Sequence, residues 1–440
     1  MTVEDMLVEA GTVAARGTVS STGAEIVPCE GLWVLPGVVD PHVHLFLKAQ
    51  GVATADDVAS GSRSALVGGV TTVADFAEVR GSLSESLARH GETWRAAACD
   101  WAVHLMITRL DGAVEEELRV LSLAGQIRSV KVFTTYRSRG LYLDDETLFR
   151  VIEASAGGEF VILAHAENDA MVRVLSDATR RRGEGALAVA RSHPVEAEEE
   201  AVYRVLAFTR HAGGRIHLVH LSCGGSIRHV ADARASGAWA SGETCPHYLV
   251  LTEEMLGVDG GHRYATAPPL RSALHADALW QAVAAGDLHV VATDSCGFSL
   301  SSKDAWAGDF SRIPGGIPGV EVSLRVMTGL GVHGGRIGIT DLVRLMSANP
   351  ARLLGVYPQK GSLGVGSDAD IVILDPQGRM PIHAQRLVSK AGWSPYEGRM
   401  VASPPERVYL RGSLVAERGR LVGDDSVGLP LVRGRPAYPL

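Results

Sequence analysis

The sequence predicts an α/β fold: a (β/α)8 barrel joined to a small β domain formed from both chain termini. Eight short apolar runs recur along the chain, each followed by a polar or turn-forming group and then a helical pattern. They spread over about 250 residues, the length a parallel eight-stranded barrel takes. No G-x-G-x-x-G follows the first run, which lowers the rival reading of an open doubly wound sheet.

In chain order, Thr2–Ala24 is rich in Val, Thr and Gly, with turn signals at Ala10–Gly11 and Arg16–Gly17. The barrel strands are expected at Leu35–Val39, Val70–Phe76, Ala102–Ile107, Ser129–Phe133, Phe160–Leu163, Ile216–Leu221, Ala238–Cys245 and Leu288–Ala292. Helical periodicity falls between them, as in Asp56–Gly68, Asp144–Ala156, Glu196–Ala212 and Leu274–Ala285. Gly364–Asp375 reads as a strand bounded by turns, and Arg407–Leu414 and Gly419–Val422 continue in short β segments. The two ends are expected to pair. This gives a discontinuous β domain over 1–35 and 360–425, its N-terminal part shortened, and a barrel over 36–359. A tail over 426–440 holds three prolines within Val427–Leu440 and reads as extended.

Composition excludes several classes. Of 440 residues, 46% are hydrophobic and 21% charged, too apolar for a mostly disordered chain. No run reaches the roughly 18 apolar residues of a membrane-spanning helix. The formal charge of −8 argues against a nucleic-acid or anionic-membrane partner. Met1–Ala10 carries acidic residues rather than a basic start and an apolar core, so no secretory leader is read there. The five cysteines are odd in number and form no C-x-x-C, which favours neither a disulfide framework nor a thiolate zinc site. A reducing cytoplasm is the expected compartment.

The chemistry gathers at strand ends. The first run continues into Asp40-Pro41-His42-Val43-His44, where residues i and i+2 of an extended chain point to one side. Lys131 lies inside an apolar strand, and other runs end in His165, His220 and Asp294. In a parallel barrel these ends converge on one face. Each residue has a plainer reading: a satisfied histidine, Asp294 as a helix cap, Lys131 in a salt bridge to Asp294. Lys131 is the most informative, because a buried ammonium tends to lose its proton. The neutral amine can take up carbon dioxide as a carbamate, a bidentate anion able to bridge two metals. Imidazole and carboxylate ligands suggest two zinc ions, with Mn2+, Co2+ or Fe2+ as alternatives. Such a pair would share a bridging hydroxide, and Asp294 could pass its proton to a leaving nitrogen. This machinery suits hydrolysis of an amide, ester or phosphoester.

The chain resembles the cyclic amidohydrolases of the hydantoinase/dihydropyrimidinase group, relatives of allantoinases and dihydroorotases. The matching stretches are Leu35–Leu45, Gly68–Ala77, Val130–Tyr136, Leu163–Asn168, Leu218–Ser222, Glu243–Leu249, Ala267–Arg271, Ile317–Glu321 and Gly361–Asp375. The resemblance implies a TIM barrel with a β-sandwich and carboxylated Lys131 between two zinc ions. It implies His42, His44 and Asp294 on one metal and His165 and His220 on the other. It makes Tyr136 the donor to a developing oxyanion. Ala267 and Gly315 would touch a small cyclic amide largely through their backbones. The loops Phe46–Thr54 and Glu78–Ser84 would shape selectivity, and the assembly would be a homotetramer or homodimer.

Some positions depart from that pattern. Ser295 stands where the group usually has histidine, Ala267 where it has serine, and Gly315 where it has asparagine. The resemblance also leads to one or two more strands before Asp5–Gly17. His247 leans towards an allantoinase spelling, whereas Tyr136 leans towards hydantoinase. The reading is therefore a metal-dependent hydrolase that opens a cyclic amide or imide. The alternatives are a ureide or specialised lactam as the ring, or the ring-closing direction. A non-catalytic scaffold and a one-metal deaminase on the same barrel are the remaining rivals; the filled ligand set argues against the first and Lys131 against the second.

Overall fold

The computed structural model describes residues 2–20, 22–49, 51–423, 427–437 and 440. Eight parallel strands follow one another in chain order: β1 (Val38–Val43), β2 (Val70–Glu78), β3 (Asp100–Met106), β4 (Ser129–Phe133), β5 (Val161–His165), β6 (Arg215–Leu218), β7 (Trp239–Thr244) and β8 (Val290–Val291). The sheet curls until its ends meet. Val43 and Ser295 form a parallel bridge, and the His44 N–H donates to the Ser295 carbonyl at 2.9 Å. Helices cover the outer face while the inner face is packed, so strands such as β5 are buried along their whole length and read as unbroken apolar runs.

The helices begin close behind the strands because the sequence supplies caps there. Asp57 and Ser60 form a capping box at Val58–Val67, and Ser82 and Glu85 form one at Leu83–Trp94. Asp111, Asp144 and Asn168 cap the helices Gly112–Leu123, Asp145–Ala154 and Asp169–Arg182.

The expected strand Leu35–Val39 is two elements. Trp33–Pro36 pairs antiparallel with Ile371–Leu374, and the chain enters β1 only after Gly37. A Cβ on Gly37 would collide with the Thr71 side chain, so glycine permits this close crossing between domains. The last expected strand shrinks to Val290–Val291, after which the chain turns into the site.

The terminal sheet runs in the order Arg420–Leu421, Ser413–Glu417, Arg407–Leu410, Ile371–Leu374, Trp33–Pro36. The hairpin Asp5–Glu9 and Thr12–Gly17, turning at Ala10–Gly11, lies beside it. Val13 N–H donates to Ser367 O and Ala369 N–H to Gly11 O, both at 2.8 Å. Met6, Val8, Val27 and Val34 pack on Ala369, Ile371 and Ile373 as the core of this unit. Lys360 fastens it to the barrel: its buried ammonium meets Asp100 of β3 at 2.5 Å, Asp370 at 2.8 Å and Asp368 at 2.9 Å. The proline-bearing tail lies along the barrel, with Leu429 and Leu431 bonded to the Trp101 backbone and Gly434 to Gly355. Among the described residues, no helix is long and apolar enough to cross a membrane.

Candidate metal centre

The C-terminal ends of the barrel strands bring the six expected ligand positions to one place. His42 is on β1 and His44 is the second residue after it in the motif. Lys131 is mid-β4 and His165 ends β5. His220 follows β6 by two residues, and Asp294 follows β8 by three. Asp294 Oδ1 lies 3.2 Å from Nε2 of His42 and 3.3 Å from Nε2 of His44. The ring of His220 is 4.5 Å from that of His165 and 5.4 Å from that of His42, centroid to centroid. Lys131 Nζ sits over the rings of Phe76, at 4.9 Å, and Phe133, at 5.5 Å. Lys131 and Asp294 form no ion pair among the described residues; the Asp294 carboxylate faces the two histidines instead. Nor does Asp294 cap a helix, since Ser299 caps the next one, Leu300–Asp304.

The donors fit a cation. One ligand atom from each of His42, His220 and Asp294 lies within 4.8 Å of the others. Nε2 of His42 and Nδ1 of His220 are buried without a hydrogen-bond partner, a costly state that a metal relieves. His44, His165 and Lys131 flank this triple. Burial lowers the pKa of His42, His165 and His220, so their imidazoles are neutral and able to ligate at pH 7. Burial also brings the Lys131 ammonium down to about 8, against the pull of Asp294 and Glu243. Burial alone would raise the Asp294 carboxyl, but His42, His44 and Lys131 outweigh it and hold it at about 2.

Two buried carboxylates here escaped the sequence reading. Glu243 on β7 bonds to Nδ1 of His42 and, at 3.0 Å, to Nε2 of His217. Glu167 takes Nε2 of His165 and Nδ1 of His193, both at 2.7 Å. These bonds engage one nitrogen of His42 and one of His165 and leave the other for a ligand, the usual orienting device around metal-bound imidazole. The signal was available: each is an acidic residue in or beside an apolar strand, the same anomaly that singles out Lys131. His247 is buried with Nε2 unpartnered, but it lies outside the close triple.

The remaining candidates surround this cluster. The Tyr136 ring is 4.9 Å from that of His165, with the Arg139 guanidinium 4.8 Å from its centre. Ala267 and Gly315 are neighbours: a Cβ built on Gly315 would stand 3.6 Å from that of Ala267. Ser295 is buried, and its Oγ accepts from the N–H groups of Gly319 at 3.1 Å and Val320 at 3.2 Å. Tyr136, His220 and Asp294 adopt left-handed backbone, with φ of 67°, 42° and 47°. Non-glycine residues take this conformation at a cost, and such strain concentrates where side-chain direction matters.

Comparison with known proteins agrees over nearly the whole chain. The amidohydrolase family matches residues 33–415. The D-hydantoinase of Geobacillus stearothermophilus is 34% identical over 98% of this chain and 93% of its own, and that of Ralstonia pickettii 35% identical over 98% and 95%. The crystal structure of dihydropyrimidinase from Brevibacillus agri NCHU1002 superimposes with a TM-score of 0.96 at 35% identity, covering 99% of this chain and 96% of that one. An L-hydantoinase (dihydropyrimidinase) from Arthrobacter aurescens gives 0.88 at 29% identity, covering 97% and 95%. The chain belongs to the amidohydrolase family, in its hydantoinase/dihydropyrimidinase group.

Proposed function

We propose that this protein is a metal-dependent hydrolase that opens the C–N bond of a cyclic amide or imide, a hydantoin or dihydropyrimidine. The observation that carries the reading is the convergence of His42, His44, Lys131, His165, His220 and Asp294 at one end of a barrel whose full-length relatives are D-hydantoinases. His42, His44 and Asp294 would hold one divalent cation and His165 and His220 the other, with carboxylated Lys131 between them; zinc suits this donor set. When bound, the cations supply Lewis acidity, which acidifies water and polarises a carbonyl.

The chain's own groups do the rest. Asp294, ionised and only partly buried, accepts the proton released by the attacking water and delivers it to the leaving ring nitrogen. One C–O bond forms, one C–N bond breaks, and the proton ends on nitrogen. Tyr136 stays protonated, since burial beside Glu167 raises its pKa, and so can donate to the charge that develops on the carbonyl oxygen. The backbones at Ala267 and Gly315 orient the ring. The same chemistry applies to a ureide or lactam and, in reverse, to ring closure; assembly as a homotetramer or homodimer in the cytoplasm accords with this reading.

The test is purified protein loaded with zinc, metal counted by mass spectrometry and ring opening followed in the ultraviolet. Relatives carry both D- and L- in their names, so both enantiomers of a 5-substituted hydantoin belong in the panel, with dihydrouracil and allantoin. Two metals per chain and ring opening abolished by Lys131→Ala are expected. A Lys131→Ala variant that keeps full activity overturns the reading.

A further inference from the structure

Lys303 is a buried lysine that the reaction does not use. It sits in the short helix Leu300–Asp304 and is wholly shielded from solvent. No carboxylate lies within ion-pair reach of it among the described residues. Its Nζ instead donates to two backbone carbonyls, Pro314 O at 2.7 Å and Ala265 O at 2.9 Å. Stability alone gives little reason for such a group, since burying a polar head is costly and an apolar chain of equal length would fill the space.

The two carbonyls are informative by position. Pro314 immediately precedes Gly315, and Ala265 lies two residues before Ala267. Ala265 O accepts a second bond from the N–H of Gly316 at 3.0 Å, so one oxygen joins both segments to Lys303. The opposite side of the second segment is held from the catalytic strand end: Cys296 N–H donates to Ile317 O at 3.0 Å, and Ser295 Oγ accepts from Gly319 and Val320. Segment 314–320 is thus suspended between Asp294's neighbours and Lys303. Burial brings the Lys303 ammonium down to about 7. Charged or neutral, the amine keeps at least the two N–H donors this geometry uses.

We propose that Lys303 is a positioning residue that sets the spacing of the Ala265–Ala267 and Pro314–Gly316 segments and thereby fixes the seat of the substrate ring. The inference rests on the ring-opening reading above, in which those two segments contact the ring. A Lys303→Met variant keeps the length of the side chain and removes its donors. Hydantoin and dihydrouracil kinetics, metal content and thermal midpoint are measured on the zinc-loaded full chain. A misplaced ring contact is expected to raise KM by about tenfold or more, with kcat changed much less and two metals retained. Lys303→Gln, which restores an N–H on a shorter arm, recovers part of the loss. If the Met variant does not fold, the Gln variant is read by the same split. Unchanged KM for both rings in the folded Met variant, or in the Gln variant where the Met variant does not fold, overturns the inference, as does a loss confined to thermal midpoint or metal content. A wild-type protein that binds metal but opens no ring in the panel fails one step earlier: it overturns the ring-opening reading and this inference with it.

Discussion

The carboxylate of Glu243 on β7 closes on Nδ1 of His42 on β1, with both groups shut off from solvent. The same carboxylate takes Nε2 of His217 and the backbone N–H of His220, the latter at 3.2 Å. Burial would raise its pKa, but the surrounding His42 and His217 hold it far below the ordinary carboxylate range. An ionised, acceptor-only group therefore fixes Nδ1 of His42 as the protonated nitrogen and turns Nε2 towards Asp294. Glu243→Gln replaces one acceptor oxygen by an NH2 that faces a donor. Zinc affinity is expected to fall by about 10–100-fold. Competition with a chromogenic chelator measures this, and an unaltered affinity would remove Glu243 from the metal site.

The departure at Ser295 has a local account. Its hydroxyl accepts two backbone N–H groups, from Gly319 and Val320, and its carbonyl accepts the N–H of His44 across the barrel seam. A serine here ties the 314–320 segment to the strand end that carries Asp294. Ser295→Ala strands those N–H groups in a poorly hydrated place, which costs about 1–3 kcal/mol. The urea midpoint should drop accordingly with an unchanged slope, whereas Ser295→Thr, which keeps the acceptor, should stay close to wild type. An alanine variant as stable as the parent would contradict this account.

Away from the site, Asp57 offers a test of pH linkage. It caps Val58–Val67 by accepting from Ser60 N–H at 2.7 Å, and Lys390 lies 2.9 Å from its other oxygen. The Ser60 backbone bond, aided by Lys390, depresses its pKa from 3.8 to about 2. A depressed carboxyl contributes stability that is present above its unfolded pKa and is lost as pH falls through the folded one. Asp57→Ala should thus cost roughly 1 kcal/mol at pH 7, mostly through the cap because the ion pair is half exposed. The gap should narrow as pH drops from about 4 towards 2. Asp57→Asn keeps a capping oxygen without the titration, so its difference from wild type should be small at pH 7. A gap between Asp57→Ala and wild type that widens in acid would refute the assignment.

The barrel was legible because its strands are covered on both faces and appear as unbroken apolar runs, with helical periodicity between them. Strand limits were less so. Trp33–Pro36 and Val38–Val43 read as one run because Gly37, which separates two domains, looks like an ordinary strand glycine. The candidate ligand positions were legible because a lysine inside an apolar run, or a histidine or aspartate at the end of one, is anomalous on its face. Glu243 and Glu167 present the same anomaly, but their meaning lies in which imidazole nitrogen they hold, a fact of three-dimensional pairing between β7 and β1 or within the β5 loop. The left-handed backbone at Tyr136, His220 and Asp294 left no trace in the sequence at all. Nothing in those residue types favours positive φ apart from a mild tolerance in Asp and His.

Tyr136 carries that strain beside the candidate metal centre. Its φ of 67° opens the turn Arg137–Arg139, and its carbonyl accepts from Arg139 N–H at 2.9 Å. The ring is thereby turned back onto His165, with Arg139 against it. Tyr136→Phe preserves the ring, its neighbours and the backbone turn, and removes only the O–H. If that hydroxyl donates to charge that develops on the scissile carbonyl, the loss belongs to the transition state, and kcat should fall by about 10²–10³ while KM shifts little. Metal content should stay that of the parent, because no ligand has been touched. Tyr136→Ala should lose more than Phe, since it also removes the packing against His165. A Phe variant with parental kcat would reduce Tyr136 to a packed aromatic, and a variant that loses metal in proportion to activity would make it a support for His165 instead.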